Sequence, residues 1–290
     1  MDSKFEPLKI EHKSLFDAAF KNNPPEISEF TFTNLYSWRN AYGFEAAEFR
    51  GFIIIKASKG RNRGFFDPIG TGDRKEAIIE ILKDTNGPFI RMPEAAKALF
   101  DNDAGFIIEK DAPNSDYLFR IEDLVTLAGR KYDGKRNLIK KFKGEHEYNF
   151  IELDASNVHR CLDFEEKWCS IKDCDGVEGL DNERAAIKEM AGRFLEFGVI
   201  GGAIEIKSAI AALALAERLN PDTMVMHILK ADPAIPGLYQ VMMNEFLKRR
   251  AAGFEYVNLE QDLGVEGLRR SKESYHPARM INKYTITLKQ

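Results

Sequence analysis

The sequence predicts an α/β chain, α+β in the arrangement of its elements: mixed, largely antiparallel sheets flanked by helices and shared between two domains. Three observations carry this. Apolar runs at Phe44–Phe49 and Phe52–Ala57, and again at Ala209–Arg218 and 223–230, come in neighbouring pairs separated by short turns, as antiparallel strands do. Between such pairs lie segments with helical spacing. Ile187, Met190, Ala191, Phe194 and Leu195 recur at i, i+3, i+4, i+7 and i+8, and Tyr239, Met242, Met243, Phe246 and Leu247 repeat the pattern. Finally, 290 residues exceed one average domain, and the polar, turn-rich stretch 111–116 is the best linker. It sets expected domains at 1–115 and 116–290.

From the N-terminus, spacing predicts helices near 11–20 and 32–42, the hairpin Phe44–Phe49 with Phe52–Ala57, and a glycine-rich turn over 60–72. A helix at 74–84, a strand at 88–91, a helix at 93–100 and a strand at Phe106–Lys110 follow. In the second half a strand near 117–121 precedes a basic helical segment at 135–145 and a strand at 148–153. Helices at 157–171 and 183–197 lead into a meander of strands at 203–207, Ala209–Arg218 and 223–230, with Asn220-Pro221-Asp222 as one turn. A helix after Gly237, a strand from Tyr256 towards Gly264 and a last strand at 281–288 complete the order.

Composition excludes several classes. With 42 basic and 46 acidic residues the formal net charge is −4, so the chain is no uniformly basic nucleic-acid binder. The start has no apolar core of a signal peptide, and the longest apolar run, 209–216, is far below the roughly 20 residues that span a bilayer. The expectation is a cytoplasmic protein with no transmembrane segment. Cys161, Cys169 and Cys174 form no C-x-x-C pair, so neither a disulfide framework nor a metal site is indicated, and Cys161 falls on the apolar side of its helix.

The chemistry-bearing residues concentrate in two places. Strand, turn, helix and strand follow one another from His227 to Gly264, and ligands of open α/β sheets bind beyond the carboxyl ends of strands, near helix N-termini. Period two along 256–262 puts Asn258, Glu260 and Asp262 on one face, close in sequence to Arg269, Lys272, Tyr275 and Lys283. Such carboxylates either take a proton from a nucleophile or belong to a structural ion-pair network. His227 is either a satisfied core histidine or a catalytic one. The other place is 129–143, with seven basic residues and one acidic one, Asp133. Its G-x-x-x-x-G-K spacing carries Arg136 where a P-loop needs Ser or Thr for magnesium. Arg136, Lys140 and Lys143 share a helical face, which is either simply solvated or a contact for phosphate or an RNA backbone. The loop 173–181 fails the EF-hand pattern at Val177, Glu178 and Arg184.

Taken together, Tyr117-Leu-Phe, Gly129-Arg-Lys-Tyr-x-x-Lys-Arg-Asn137, His227-x-x-Lys230-Ala-Asp, Asn258-x-Glu-Gln-Asp-Leu-Gly264, Gly267-Leu-Arg-Arg-Ser-Lys272, Ser274-Tyr275-x-Pro277 and Lys283-Tyr284 resemble a bacterial family related to the C-terminal domain of phosphatidylglycerol lysyltransferase. The resemblance covers essentially the whole chain. It implies two tandem GNAT-like domains, the arrangement shared with Fem-type aminoacyl transferases, and an aminoacyl or acyl transferase. On that basis Glu260 and Asp262 are the expected catalytic residues. Arg130, Lys131, Arg136, Asn137, His227, Gly237, Tyr239, Asn258, Arg269, Lys272, Tyr275 and Lys283 are expected to hold donor or substrate. The turn 232–239 has two prolines and one glycine where an acyl-CoA site carries several glycines, which favours aminoacyl-tRNA as cosubstrate. Acyl-CoA is the alternative donor, the acceptor is a small molecule or peptide, and a double domain that binds a metabolite or RNA without catalysis is the non-enzymatic alternative.

Overall fold

In the computed structural model, residues 4–60, 63–172 and 178–289 are described. The chain divides into two compact units: Met1–Tyr117, Gln261–Arg270 and Met280–Gln290 make one, Leu118–Glu260 and Ser271–Arg279 the other. The main segment of the first unit ends at Tyr117. The second expected domain is interrupted, because two C-terminal segments return to the first unit.

Strands β1 (Glu6–Pro7), β2 (Phe44–Phe49), β3 (Phe52–Ala57), β4 (Gly64–Phe65), β5 (Ile69–Gly70), β6 (Phe89–Pro93) and β7 (Phe106–Lys110) belong to one sheet. The other sheet is formed by β8 (Asp116–Arg120), β9 (Asn149–Leu153), β10 (Ile200–Ile206), β11 (Ala209–Arg218), β12 (Thr223–Ala231), β13 (Tyr256–Asn258) and β14 (Arg279–Ile281). The last strand, β15 (Lys283–Leu288), goes back to the first sheet, whose order is β1-β2-β3-β4-β6-β15-β7 with β5 on β3. A single strand over 281–288 was expected, and the chain instead breaks at Asn282 and changes sheet. Both sheets are mixed and mostly antiparallel, as expected; β4 with β6 and β12 with β13 are the parallel pairs.

In the first unit, β2 and β3 are joined by Arg50-Gly51, both left-handed at φ 52° and 81°, as a two-residue type I′ hairpin turn requires. Helices α1 (Lys13–Asn22), α2 (Phe32–Ser37), α3 (Arg39–Tyr42), α4 (Arg74–Thr85) and α5 (Glu94–Lys97) accompany the sheet. The Asp73 side chain caps α4 by accepting from Glu76 N at 3.0 Å. Its Ala77, Ile78, Ile81 and Leu82 form one buried face with Phe52, Ile54, Phe89, Met92 and Ile286. The helical spacing that predicted α4 is therefore the spacing of this core.

A polar network is buried in the same unit. Lys283 is wholly enclosed, and its Nζ donates to Glu29 Oε2 at 2.5 Å and Asp116 Oδ1 at 2.6 Å. Arg91, left-handed at φ 56°, reaches Glu29 at 3.2 Å and also bonds Asp111. Ser28 N donates to Asp116 at 2.8 Å, Asn114 Nδ2 to Asp111 at 2.7 Å and Gln261 Nε2 to Glu29 at 2.9 Å. The stretch expected as a linker supplies much of this: Asn114, Ser115 and Asp116 are buried. Asp116 reads as a solvated turn residue in sequence because its partners, Ser28 and Lys283, lie far along the chain.

The second sheet runs β14-β8-β13-β12-β11-β10-β9, with helices α6 (Ile121–Thr126), α7 (Asp133–Glu145), α8 (Arg160–Lys172), α9 (Glu178–Gly192), α10 (Phe194–Phe197), α11 (Leu238–Arg250) and α12 (Glu266–Glu273) following the chain. Helix α11 is buried on most of its surface, including both methionines, and its Asn244 Nδ2 donates to Leu124 O at 2.8 Å and Val125 O at 2.9 Å, closing the end of α6. Gly202 in β10 is required by packing, since a Cβ there would lie 2.6 Å from the Phe150 ring and 3.0 Å from Phe246. Cys161 is buried as expected, and burial pushes its thiol up to about 12. Most of the loop weighed as a calcium site, 173–177, lies outside the described residues.

Replacing Lys283 with Met should destabilise the protein by about 3–5 kcal/mol, because it strands two buried carboxylates. Denaturant unfolding at neutral pH would measure this, and a loss below about 1 kcal/mol would show that the network relaxes without the ammonium.

Candidate functional site

Parallel pairing of β12 with β13 is brief, joining Thr223 to Tyr256, Met224 to Val257 and Val225 to Asn258. On its other side β12 stays paired with β11 as far as Ala231. The end of β12 thus runs on past its parallel neighbour and leads through Asp232-Pro-Ala-Ile-Pro-Gly237 into α11. At this place a cavity of about 390 Å³ is lined by Trp168, Lys230, Asp232, Gly237, Tyr239 and Gln240. It lies beyond the end of β12 and beside a helix N-terminus; of the residues expected at a site it holds Gly237 and Tyr239, whereas Glu260, Asp262, Arg269 and Tyr275 are not in its lining.

Gly237 is left-handed at φ 87°, and a Cβ there would approach Leu138 O to 2.6 Å, so only glycine lets α7 lie against this turn. Lys230 and Asp232 are the charged groups of the crevice wall. Lys230 Nζ donates to Glu165 and bonds Glu183, both at 2.7 Å, and sits 4.0 Å from the centre of the Trp168 ring. Burial would lower its pKa, but the two carboxylates overcome this and raise it, so the side chain is a fixed ammonium. Trp168 is held by Nε1–H donation to Ala231 O at 3.1 Å. Tyr239 has its hydroxyl pushed up to about 12 by burial and stays protonated, a donor rather than a base.

His227 lies on the same strand, its side chain enclosed between two carboxylates: Nε2 meets Glu217 at 2.7 Å and Nδ1 meets Glu260 at 2.8 Å. Burial favours the neutral ring, yet hydrogen bonds and charge from both glutamates outweigh it and raise the pKa to about 9. The imidazolium is thus the ordinary state at neutral pH, donating from both nitrogens. It can orient Glu260, and it cannot accept a proton.

Asn258, Glu260 and Asp262 do not share a strand face. Strand β13 ends at Asn258, and left-handed backbone at Glu260 (φ 57°) and Leu263 (φ 55°) breaks the period of two. Asn258 is buried and accepts from Glu260 N at 2.8 Å, while Lys272 Nζ donates to Leu259 O at 2.6 Å, so both hold the turn that carries Glu260. Asp262 belongs to the first unit. There it accepts from Tyr117 Oη at 2.7 Å, Arg269 Nε at 2.9 Å and Nη2 at 3.2 Å, and Gly264 N at 2.7 Å. Burial alone would raise its pKa, but these donors hold it down at about 2. With four donors upon it, Asp262 is no general base, and it fixes Arg269 rather than leaving it for a phosphate. Lys283, likewise expected at the site, is the buried core cation described above.

The basic segment is split in use. Lys135 donates to Ser274 at 2.6 Å and lies 4.1 Å above the ring of the buried Tyr275. Arg136 bonds Leu127 O, Gly129 O and Asp133, and Lys143 pairs with the buried Glu245 at 2.7 Å. The face expected to present Arg136, Lys140 and Lys143 therefore spends two cations internally. Arg130, Lys131, Asn137, Lys140 and Lys141 remain exposed. Sequence reasoning assigned no role to Lys230, Trp168, Glu165, Glu183 or Gln240. One signal was present: His227 and Lys230 are the only ionisable residues in an otherwise apolar strand. Among the described residues no group of His, Cys, Asp and Glu is arranged to hold a metal ion, and no helix is long and apolar enough to cross a membrane.

Two mixed sheets, each flanked by helices, with a crevice opened by parting parallel strands in the second, define the fold class. The family model for phosphatidylglycerol lysyltransferase, C-terminal, matches residues 21–287, and the chain belongs to that family, a family of transferases. A conserved protein of unknown function from Bacteroides thetaiotaomicron is similar in structure at TM-score 0.91 and 29% identity, over 99% of this chain and 100% of that one. The L-PGS structure from Bacillus licheniformis matches at TM-score 0.66 and 14% identity, over 98% and 93%. A DUF2156 C-terminal domain from Agrobacterium fabrum matches at the same TM-score of 0.66, over 97% and 93%. No curated protein sequence matches the chain.

The His227 clamp has a pH signature. Its folded pKa lies above the ordinary 6.5, so its contribution is complete below about pH 6.5 and is lost as pH rises through about 9. The wild type should lose on the order of 3 kcal/mol more than His227→Gln across that window, at about 1.4 kcal/mol per unit. Denaturation curves at stepped pH would show it, and parallel profiles would mean that the ring is neutral when folded.

Proposed function

We propose that the chain is an aminoacyl transferase that takes aminoacyl-tRNA as donor, with the aminoacyl end in the crevice between the end of β12 and α11. The observation that carries this reading is the crevice itself: a turn with Pro233 and Pro236, a fixed ammonium at Lys230, and the N-terminus of α11. Each proline removes a backbone donor from the turn, which suits a pyrophosphate poorly. An ester carbonyl needs fewer donors, and the first N–H groups of α11 supply them to an oxyanion, while Lys230 is taken up by Glu165 and Glu183. The acceptor's amine or hydroxyl attacks that carbonyl carbon, the ester bond to the terminal ribose breaks, and the acceptor's proton ends on the ribose oxygen. We assign the relay of that proton to Glu260, which is oriented by His227 and about one-fifth exposed. The exposed Arg130, Lys131 and Lys140 supply phosphate contacts for the tRNA.

Two measurements test this. The purified protein should discharge tRNA carrying a radiolabelled amino acid and leave radiolabelled acyl-CoA intact, and Tyr239→Phe or Gln240→Leu should slow it roughly tenfold, about 1.4 kcal/mol in the barrier. Discharge of acyl-CoA alone would replace the donor, and inertness towards both would remove the transferase assignment for this crevice. Converting Arg130, Lys131 and Lys140 together to Gln should flatten the log–log salt dependence of tRNA binding by about 2, at about 0.7 per phosphate contact. An unchanged slope would leave these side chains as a solvated surface.

A further inference from the structure

The first unit contains a cavity of its own, and it has no part in the transfer reaction above. Its volume is about 630 Å³, within the range of small-molecule sites. Phe20 from the end of α1, Ile27 and Phe30 from the following segment, Phe52 from β3 and Ile69 from β5 supply apolar walls. Pro24, Pro25, Pro68 and Pro93 also line it, and their fixed φ angles stiffen the wall. Gly72, at φ 150°, lies so close to Phe52 that a Cβ would stand 3.0 Å from its ring, so any side chain there would push the ring. Such a wall is shaped before a ligand arrives, which lowers the cost of binding one.

Charge enters at one side. Arg74, at the start of α4, donates from Nε to Asp67 Oδ1 at 2.7 Å, and its Nη2 bonds Asp67 Oδ2. Asp67 is buried and has both oxygens engaged, whereas Arg74 keeps 29% of its side chain exposed and lines the cavity. A guanidinium has five N–H donors in a rigid plane, and the pair with Asp67 occupies one edge. The remaining edge is held in place by the first, and its geometry fits a carboxylate.

We propose that this cavity binds a small monocarboxylic acid with an aromatic or branched aliphatic body, its carboxylate on the free edge of Arg74 and its body among Phe20, Phe30 and Phe52. Simple acids and amino acids share this chemistry, and the titration below distinguishes them.

Isothermal titration of the full chain with phenylacetate, phenylalanine and phenethylamine tests it. The two carboxylates should bind and the amine should not; tighter binding of phenylalanine than of phenylacetate identifies amino acids as the class, and the reverse identifies simple acids. Arg74→Gln should weaken binding at least tenfold. Because that change also leaves Asp67 without its cation, Ala95→Trp serves as the second variant: Ala95 is exposed and lines the cavity, and a large ring there should block entry while the ion pair stays intact. No heat with either carboxylate at millimolar concentration, equal binding of the amine, or full affinity in Ala95→Trp would each overturn the proposal.

Discussion

Around one enclosed ammonium the first unit is tied together. Lys283 has lost all contact with water, and an ion of that size can be buried only when its charge and its donors are met by the protein. Glu29 and Asp116 meet them, and they come from opposite ends of the unit's main segment, while Lys283 is contributed by the strand that returns after the second sheet is complete. Arg91 adds a second cation and Asp111 a third carboxylate, and Ser28, Asn114 and Gln261 supply neutral donors for the negative charge left over. Burial would raise the pKa of Glu29, yet Lys283 and Arg91 keep it below the usual value, so Glu29 is a carboxylate at neutral pH. Lys283 has no other counter-charge than Glu29 and Asp116 in this network. The returning C-terminal strand thus contributes to the core of the first unit.

Arg91 shows what the network costs locally. A non-glycine residue with left-handed backbone inside a strand is strained by about 1–3 kcal/mol, and here the strain aims the guanidinium at two carboxylates. The second unit spends strain in a similar way at Glu260, where left-handed backbone ends β13 and turns the carboxylate to His227. Because β13 stops early, the end of β12 is left without a parallel neighbour and the crevice opens beside α11. Sheet register, more than any single side chain, therefore positions the proposed donor site.

Much of the fold is legible in the residues because period and turn chemistry are local. The hairpin Phe44–Phe49 with Phe52–Ala57 and strands Ala209–Arg218 and Phe106–Lys110 have the expected limits. Helices α4 and α11 begin where a cap and a glycine say they should. Asn244 lies in the middle of an apolar face and has no local signal for its role, which is to close the carbonyls of α6, a helix more than 100 residues earlier. The site was only partly legible. Gly237 and Tyr239 of the cavity were within the expected set, whereas Lys230, Trp168 and Gln240 beside them were outside it.

By itself the sequence determined the elements, their order, the mixed character of the sheets and the family, because each is written in spacings of a few residues or in short motifs. Tertiary structure alone decided which charged residues are available. Asp262, Arg269, Arg136 and Lys283 looked like ligand-binding groups since they are ionisable and clustered in sequence, and each is consumed by an internal partner. Sequence displays a charge but not the counter-charge that folding sets against it, and the energy of a buried ion depends almost wholly on that partner.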